Sequence, residues 1–175
     1  PGYVILCQGR MPGANPEGLV EHAKTLSVVY DYCKSMGLQD QYINYLTYDD
    51  DAPGRDGTPS EAALVNAITQ WGSASMNASP APLFIVLVNH GSVGAFHMER
   101  DVLTPPELRD AIGTLEGNLN AAAASRPIVV ILGMCHSGSF IRDMSRPNRI
   151  VVASADTQEV SLRGAAGSDG IRDGE

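Results

Sequence analysis

The sequence predicts an α/β domain in which helices cover both faces of a parallel sheet. Residues 83–88 and 128–132 are short, unbroken apolar runs rich in branched side chains, as is typical of parallel strands buried on both faces. Along the chain such runs alternate with segments of helical period, and repeated strand–helix units give a parallel sheet with right-handed crossovers. At 175 residues the chain is long enough for one domain with a full core, so we predict a single domain over residues 1–175.

The first strand–helix unit opens the chain. Residues 3–7 predict a strand, and the glycine- and proline-rich residues 9–13 predict a loop at its carboxyl end. Asn15 and Pro16 are typical of a helix N-terminus. Apolar side chains then recur at helical spacing on one face: Leu19, Ala23, Leu26, Tyr30 and Cys33. Gly37 predicts the end of this helix.

Residues 41–48 predict the second strand, and residues 49–57 an acidic turn. Oxygen ligands this dense can hold calcium, but the spacing lacks the alternation of an EF-hand loop and favours a solvated loop. A capping box starts at Thr58 and has proline in the first helical turn. We expect the helix that follows to end at Gly72, with a small-residue loop over residues 73–82.

The rest of the chain continues the alternation. Residues 93–98 predict a short turn, and Thr104 begins a second capping box that starts the third helix. Residues 118–125 predict a loop. Residues 140–144 predict a short helix after the second apolar run, and residues 150–153 a fifth strand.

The charge, the apolar runs and the cysteine content argue against several classes of partner and site. The net charge is −8, which argues against a nucleic-acid partner because that would need a basic stripe. No apolar stretch approaches the roughly 20 residues of a membrane span. Cys7, Cys33 and Cys135 are too few, and odd in number, for a disulfide framework, and no pair has the spacing of a zinc site. Cys7 and Cys33 lie in apolar patterns and are predicted to be small buried hydrophobes.

A reactive residue follows each of the two central runs. His90 comes two residues after the first run, and Cys135 three residues after the second. The carboxyl ends of neighbouring parallel strands meet at one edge of a sheet, so the two side chains are expected to share a cleft. Each alone has a plain structural explanation, a loop histidine or a buried thiol. Together they indicate a nucleophilic thiolate with its base, and Gly91 would let a backbone N–H approach a substrate oxygen.

The other histidines are weaker candidates for the base. His97 lies near His90 in the sequence and competes with it. His136 follows Cys135 directly, so its side chain is expected to point elsewhere. His22 falls on the first helix and is predicted to be a surface histidine.

Residues 89–92 (Asn-His-Gly-Ser) and 134–139 (Met-Cys-His-Ser-Gly-Ser) resemble the two catalytic motifs of the legumain-type cysteine peptidases, the asparaginyl endopeptidase family of the caspase-like clan. Residues 48–50 (Tyr-Asp-Asp) and 154–156 (Ser-Ala-Asp) also resemble family landmarks, so the likeness runs from the first strand to the C-terminus. The resemblance implies a caspase-like three-layer αβα sandwich with a mainly parallel sheet. Its five predicted strands would lie in the order 2-1-3-4-5.

The resemblance also implies a role for each matching residue. Cys135 would be the nucleophile and His90 the general acid/base, while the backbone N–H groups of Gly91 and Cys135 would form the oxyanion hole. The residues implied for substrate binding are Glu21, Ser154, Ala155, Asp156 and Asp173. No metal or organic cofactor is implied.

Some positions depart from the family pattern. Gln8 and Gly9 stand where the family has an asparagine that orients the histidine. Glu21 replaces an arginine of the specificity pocket, and Gly133 replaces a glutamate, so a preference for asparagine does not carry over. Losing a cation while acids such as Asp173 remain favours a basic residue, arginine above all, before the scissile bond. The alternative is that these acids only solvate the surface.

We therefore expect a cysteine endopeptidase that works through an acyl-enzyme thioester and processes itself. A transpeptidase or ligase on the same site, and a non-catalytic binding module, are the alternatives. The expected partners are a polypeptide substrate and the protein's own C-terminal segment as a second chain, because no apolar run follows Ala153 where caspase-like domains carry a sixth strand. The opening Pro1 suggests a piece of a longer protein. The resemblance favours an exported or extracellular location.

Overall fold

The computed structural model describes residues 2–13 and 19–161, and the backbone of residues 163–166 and 172–174. The strands in chain order are β1 (Tyr3–Gln8), β2 (Ile43–Leu46), β3 (Arg55–Gly57), β4 (Leu83–Val88), β5 (Gly91–Ser92), β6 (Ala95–Met98), β7 (Asp101–Leu103), β8 (Ile128–Gly133), β9 (Arg149–Ala153), β10 (Arg163–Ala166) and β11 (Arg172–Gly174). The α-helices are α1 (Leu19–Ser35), α2 (Glu61–Asn66), α3 (Ser73–Ala78), α4 (Pro105–Asn118), α5 (Ala121–Ala124) and α6 (Ile141–Met144).

The main sheet has six strands in the order β3-β2-β1-β4-β8-β9, and every neighbouring pair is parallel. The predicted α/β class and the predicted order of five strands are therefore confirmed. The centre is formed by the two continuous apolar runs, β4 and β8, which pair from Leu83 with Ile128 to Val88 with Gly133. Central strands buried on both faces need such continuous runs, whereas the edge strand β3 can be polar.

Successive side chains of the central strands point to opposite faces and fill two separate cores. On β1, Ile5 packs into the larger core, with α2 to α4, and Leu6 packs into the smaller core, with α1. The smaller core takes Leu26 and Tyr30 from α1, which are 0% and 6% exposed. The result is the three-layer arrangement of helix, sheet and helix that the resemblance implied.

The helix predicted to end at Gly72 is longer than expected. A π-helical stretch (Ala67–Gly72) joins α2 to α3, so helical structure continues through most of the predicted loop. Gly72 lies where an added Cβ would come within 3.3 Å of the Leu83 side chain, so it permits close packing rather than ending the helix. The N-cap is Ser60, whose hydroxyl accepts the Ala63 N–H at 3.1 Å, and not Thr58. The second capping box at Thr104 is confirmed.

Two other segments predicted to be irregular contain regular structure. The predicted turn after the His90 strand is part of a three-stranded antiparallel sheet in the order β5-β6-β7. The predicted alanine and asparagine loop contains α5, which Asn120 caps by accepting the N–H groups of Ala122 and Ala123. The chain's last described residues, β10 and β11, pair with each other and not with the main sheet. Elements this short contain too few residues to show the hydrophobic period from which strands and helices are predicted.

The acidic turn after β2 contains β3, which pairs with β2 along the sheet edge. The Asp56 carboxylate accepts the Tyr45 N–H at 2.8 Å, and Asp50 lies 2.8 Å from Arg55 in an ion pair. Within the described ranges, no three histidine, cysteine, aspartate or glutamate side chains are grouped so that they could hold a metal ion. Of the described helices, none combines the length and the apolar composition that crossing a bilayer requires.

Candidate active site

His90 and Cys135 follow neighbouring strands at matched positions. Val88, the last residue of β4, pairs with Gly133, the last residue of β8, and each candidate residue comes two positions after the end of its strand. The pairing continues past the strands, because the Asn89 N–H donates to the Gly133 carbonyl at 3.2 Å. Both side chains are half-buried. The structure therefore brings the predicted pair to one edge of the sheet.

The chain after His90 passes very close to Cys135. An added Cβ on Gly91 would lie 2.1 Å from the Cys135 carbonyl oxygen and 3.1 Å from the Met134 side chain. Real Cβ atoms do not approach backbone oxygens so closely, so only glycine allows this contact. The backbone N–H groups of Gly91 and Cys135, the two predicted oxyanion donors, are thus carried on segments in direct contact.

The two competing histidines have other hydrogen-bond partners. The His97 Nε2 atom lies 2.9 Å from the Ser92 hydroxyl, within the small antiparallel sheet. The His136 Nδ1 atom lies 3.0 Å from the Thr157 carbonyl oxygen, and the residue has a φ of 56°. This left-handed backbone turns the chain away after Cys135, so the His136 ring points elsewhere, as the sequence predicted.

His22 is not the surface histidine that the sequence predicted. Its ring meets the His90 ring edge to face, with ring centroids 4.9 Å apart and an interplanar angle of 72°. His22 is half-buried, and so is Glu21 beside it in the first turn of α1. The helical period identified the helix but could not tell which of its turns faces the end of β4.

The predicted substrate-binding residues Ser154, Ala155 and Asp156 belong to a segment that we call the covering loop (residues 154–161). The Ser154 hydroxyl accepts the Met134 N–H at 3.0 Å. The Ala155 carbonyl accepts the Gly138 N–H at 2.8 Å. An added Cβ on Gly138 would lie 3.0 Å from the Asp156 Cα. All three residues therefore lie beside the turn that carries Cys135.

The far end of the covering loop touches the thiol itself. The Ser161 N–H donates to the Cys135 Sγ at 3.3 Å, and the Glu159 carbonyl accepts the His136 N–H at 2.8 Å. No residue type in the sequence signals this contact, because the donor is a backbone N–H group and does not depend on the side chain. Of the remaining predicted site residues, the Asp173 side chain lies outside the described residues.

Gln8, which stands where the family has an orienting asparagine, is 1% exposed at the end of β1. Its Oε1 atom accepts the Thr47 hydroxyl at 2.6 Å and the Tyr48 N–H at 3.2 Å. Beside it lies a cavity of about 430 Å³, between α1 and the ends of β1 and β2. Arg10 and Tyr48 both line this cavity, and the Arg10 guanidinium lies 5.4 Å from the centre of the Tyr48 ring. Burial raises the pKa of Tyr48.

Residues 69–165 match the model of the peptidase C13 family. The matched stretch is more than half of the chain, and it contains both central strands, the two candidate residues and the whole covering loop. None of the curated proteins matches the chain.

Proposed function

Because the chain belongs to the peptidase C13 family, the legumain family of cysteine peptidases, we propose that it is an endopeptidase whose nucleophile is Cys135 and whose general acid/base is His90. The observation that carries this proposal is the register of β4 and β8, which gives both residues the same position past the end of adjacent strands. A thiol needs a nearby base for nucleophilic attack, and here the base follows the next strand.

The reaction follows from this arrangement. Cys135 loses its proton to His90, and the sulfur attacks the carbonyl carbon before the scissile bond. The N–H groups of Gly91 and Cys135 stabilise the negative charge that develops on the carbonyl oxygen. His90 then gives its proton to the leaving amine, and a thioester remains on Cys135. Water, deprotonated by His90, attacks the thioester, which releases the new carboxylate and restores the thiol.

The test compares the wild type with Cys135→Ala and His90→Ala on a positional library of peptide substrates. Both variants are expected to lose turnover while melting at the wild-type temperature, since each change removes only half-buried atoms. Turnover by the Cys135→Ala variant would refute the proposal. If neither the wild type nor the variants cleave any peptide, but the wild type binds them, the fold serves as a binding module.

The same thioester allows an amine to replace water, which would make the protein a transpeptidase or ligase. Mass spectrometry of the products with an added amine nucleophile separates the two outcomes. A hydrolase gives the free carboxylate under these conditions, and a ligase gives the amide of the added amine.

For substrate choice, we propose a basic residue before the scissile bond. The supporting observation is that the half-buried Glu21 lies one residue before His22, whose ring touches His90. The negative charge of this carboxylate favours a basic side chain on the substrate, and an arginine offers two-point geometry with a carboxylate. The test uses peptides that differ only in arginine, asparagine or aspartate at this position, with Glu21→Gln as the matched variant. A preference for asparagine, or an arginine preference that Glu21→Gln leaves unchanged, would refute this assignment.

A further inference from the structure

We propose that His22 is a positioning residue for His90, an inference that rests on the proposed role of His90. The two rings meet edge to face, with centroids 4.9 Å apart and planes inclined by 72°. Aromatic rings prefer this geometry, because the positive edge of one faces the negative face of the other. The contact therefore favours one orientation of the His90 ring over the others that its side-chain torsions allow.

His22 is well supported for this task. His22, Leu26 and Tyr30 are spaced by four residues along α1, so they lie on one stripe of the helix. Leu26 and Tyr30 are buried against the sheet. His22 thus continues the buried stripe towards the N-terminus of the helix, beyond the end of the core. A ring held on a packed helix is a more rigid support than one on a loop.

Two polar side chains at the ends of the strands have hydrogen bonds to other parts of the chain. The Gln8 Oε1 atom already accepts two hydrogen bonds, from Thr47 and Tyr48. The Asn89 side-chain amide donates to the His97 carbonyl at 2.7 Å, so it braces the small antiparallel sheet. The side-chain oxygen of Gln8 is therefore committed to the loop after β2. The ring of His22 contacts His90 directly.

The orientation of His90 matters because it must take a proton from the Cys135 sulfur and give it to the leaving amine. A ring that samples several orientations spends less time in the productive one, which lowers kcat and leaves substrate binding nearly unchanged. An edge-to-face pair can raise the population of the productive orientation by up to about tenfold relative to the other orientations. The expected signature is thus a change in kcat and not in KM.

The experiment measures kcat and KM for His22→Ala, His22→Phe and His22→Leu, with Val28→Ala as the control. Val28 is on the same helix and is 49% exposed, so its truncation is expected to change neither constant. His22→Ala and His22→Leu are expected to lower kcat about tenfold with KM within twofold of the wild type. His22→Phe keeps an aromatic edge and is expected to recover most of the rate. Melting temperatures identify any variant that fails to fold.

The outcomes separate this inference from the proposed function. A wild-type kcat in folded His22→Leu, a change in KM alone, or a His22→Phe variant no better than His22→Leu would each overturn the positioning role. These comparisons hold even if His22→Ala does not fold. If His90→Ala is as active as the wild type, the proposed function itself fails. If His90→Ala is inactive and His22→Leu is fully active, only the positioning role fails.

Discussion

Two cysteines of this protein lie near the carboxyl ends of parallel strands, and their surroundings are opposite. Cys7 is still inside β1 and is 0% exposed. Burial raises the pKa of its thiol far above the ordinary range. Cys135 lies two residues beyond β8, is half-buried, and receives the Ser161 N–H at its sulfur. The position inside or beyond its strand thus separates the fully buried Cys7 side chain from the half-buried Cys135 side chain.

The two positions differ in whether their surroundings can stabilise a thiolate. Inside the sheet, helices on both faces exclude water, and a thiolate has no compensation for its lost hydration. Beyond the strand, the chain turns and exposes its backbone N–H groups, which favour negative charge. Cys33 on α1 is an intermediate case, since it is partly buried and burial raises its pKa.

The largest expected effect is the difference between alanine substitutions of the two cysteines. Cys135→Ala is expected to lower kcat/KM by about 10⁴-fold or more, because it removes the proposed nucleophile. Cys7→Ala is expected to leave the rate within a few-fold and to lower the free energy of unfolding by about 1 kcal/mol. Initial rates and urea unfolding measure the two quantities. Similar activity losses in both variants would mean that Cys135 acts through stability alone.

The close approach of Gly91 to Cys135 gives the next largest effect. Gly91→Ala places a Cβ against the Cys135 carbonyl and is expected to lower kcat by about 100-fold, since it displaces the two predicted oxyanion donors. Gly113→Ala in α4 is the matched control, because an added Cβ there meets nothing within 4 Å. The control is expected to keep full activity and to gain up to about 1 kcal/mol of stability. An active, folded Gly91→Ala variant would contradict the predicted oxyanion hole.

Thiol labelling tests the comparison without any substrate. Burial raises the pKa values of Cys7 and Cys33, so at neutral pH both carry less thiolate than an ordinary cysteine. Because the thiolate is the reacting species, iodoacetamide is expected to modify Cys135 at least about tenfold faster than either. The rate at which iodoacetamide modifies Cys33 is expected to rise with pH, and Cys7 is expected to react only when the protein unfolds. Peptide mass mapping after timed quenching measures all three. Equal modification rates at Cys33 and Cys135 would contradict the expected difference in reactivity between these two thiols.

The sequence predicted the parts of the fold that depend on continuous patterns. The apolar runs of β4 and β8 could be recognised alone, and their neighbouring positions place His90 and Cys135 together. The roles of these residues remain predictions, whereas the family and the strand order are confirmed. The extension of the helix past Gly72 was missed, because glycine ends many helices and only the close packing on Leu83 explains it here.

The parts of the site that the sequence could not predict depend on tertiary contacts. The contact of His22 with His90 depends on where α1 sits over the sheet, which the helical period does not determine. Ser161 reaches the Cys135 sulfur with a backbone N–H, so no residue type marks it. By contrast, Ser154 was named by the resemblance, and in the structure its side chain forms a hydrogen bond to Met134, the residue before Cys135.

The smallest expected effect concerns this serine. The Ser154 hydroxyl accepts the Met134 N–H at 3.0 Å and lies 3.1 Å from the Met134 carbonyl oxygen, to which it donates. Ser154→Ala is expected to lower the free energy of unfolding by about 1 kcal/mol, the net worth of such a hydrogen bond, and to lower kcat about threefold to tenfold as Cys135 loses its fixed position. Ser125→Ala is the control, because the exposed Ser125 hydroxyl donates only within its own helical turn, to the Ala122 carbonyl.

The ratio of the two kinetic constants shows how Ser154 acts. If it holds the segment before Cys135, kcat falls and KM stays nearly constant. If it contacts the substrate, as the resemblance implies, KM rises in Ser154→Ala while kcat stays near the wild-type value. Iodoacetamide labelling adds a second measure, because a displaced Cys135 loses its contact with the Ser161 N–H and is expected to react more slowly. An unchanged labelling rate together with a raised KM would assign Ser154 to substrate binding. The position of Cys135 would then depend on its close contact with Gly91 and not on Ser154.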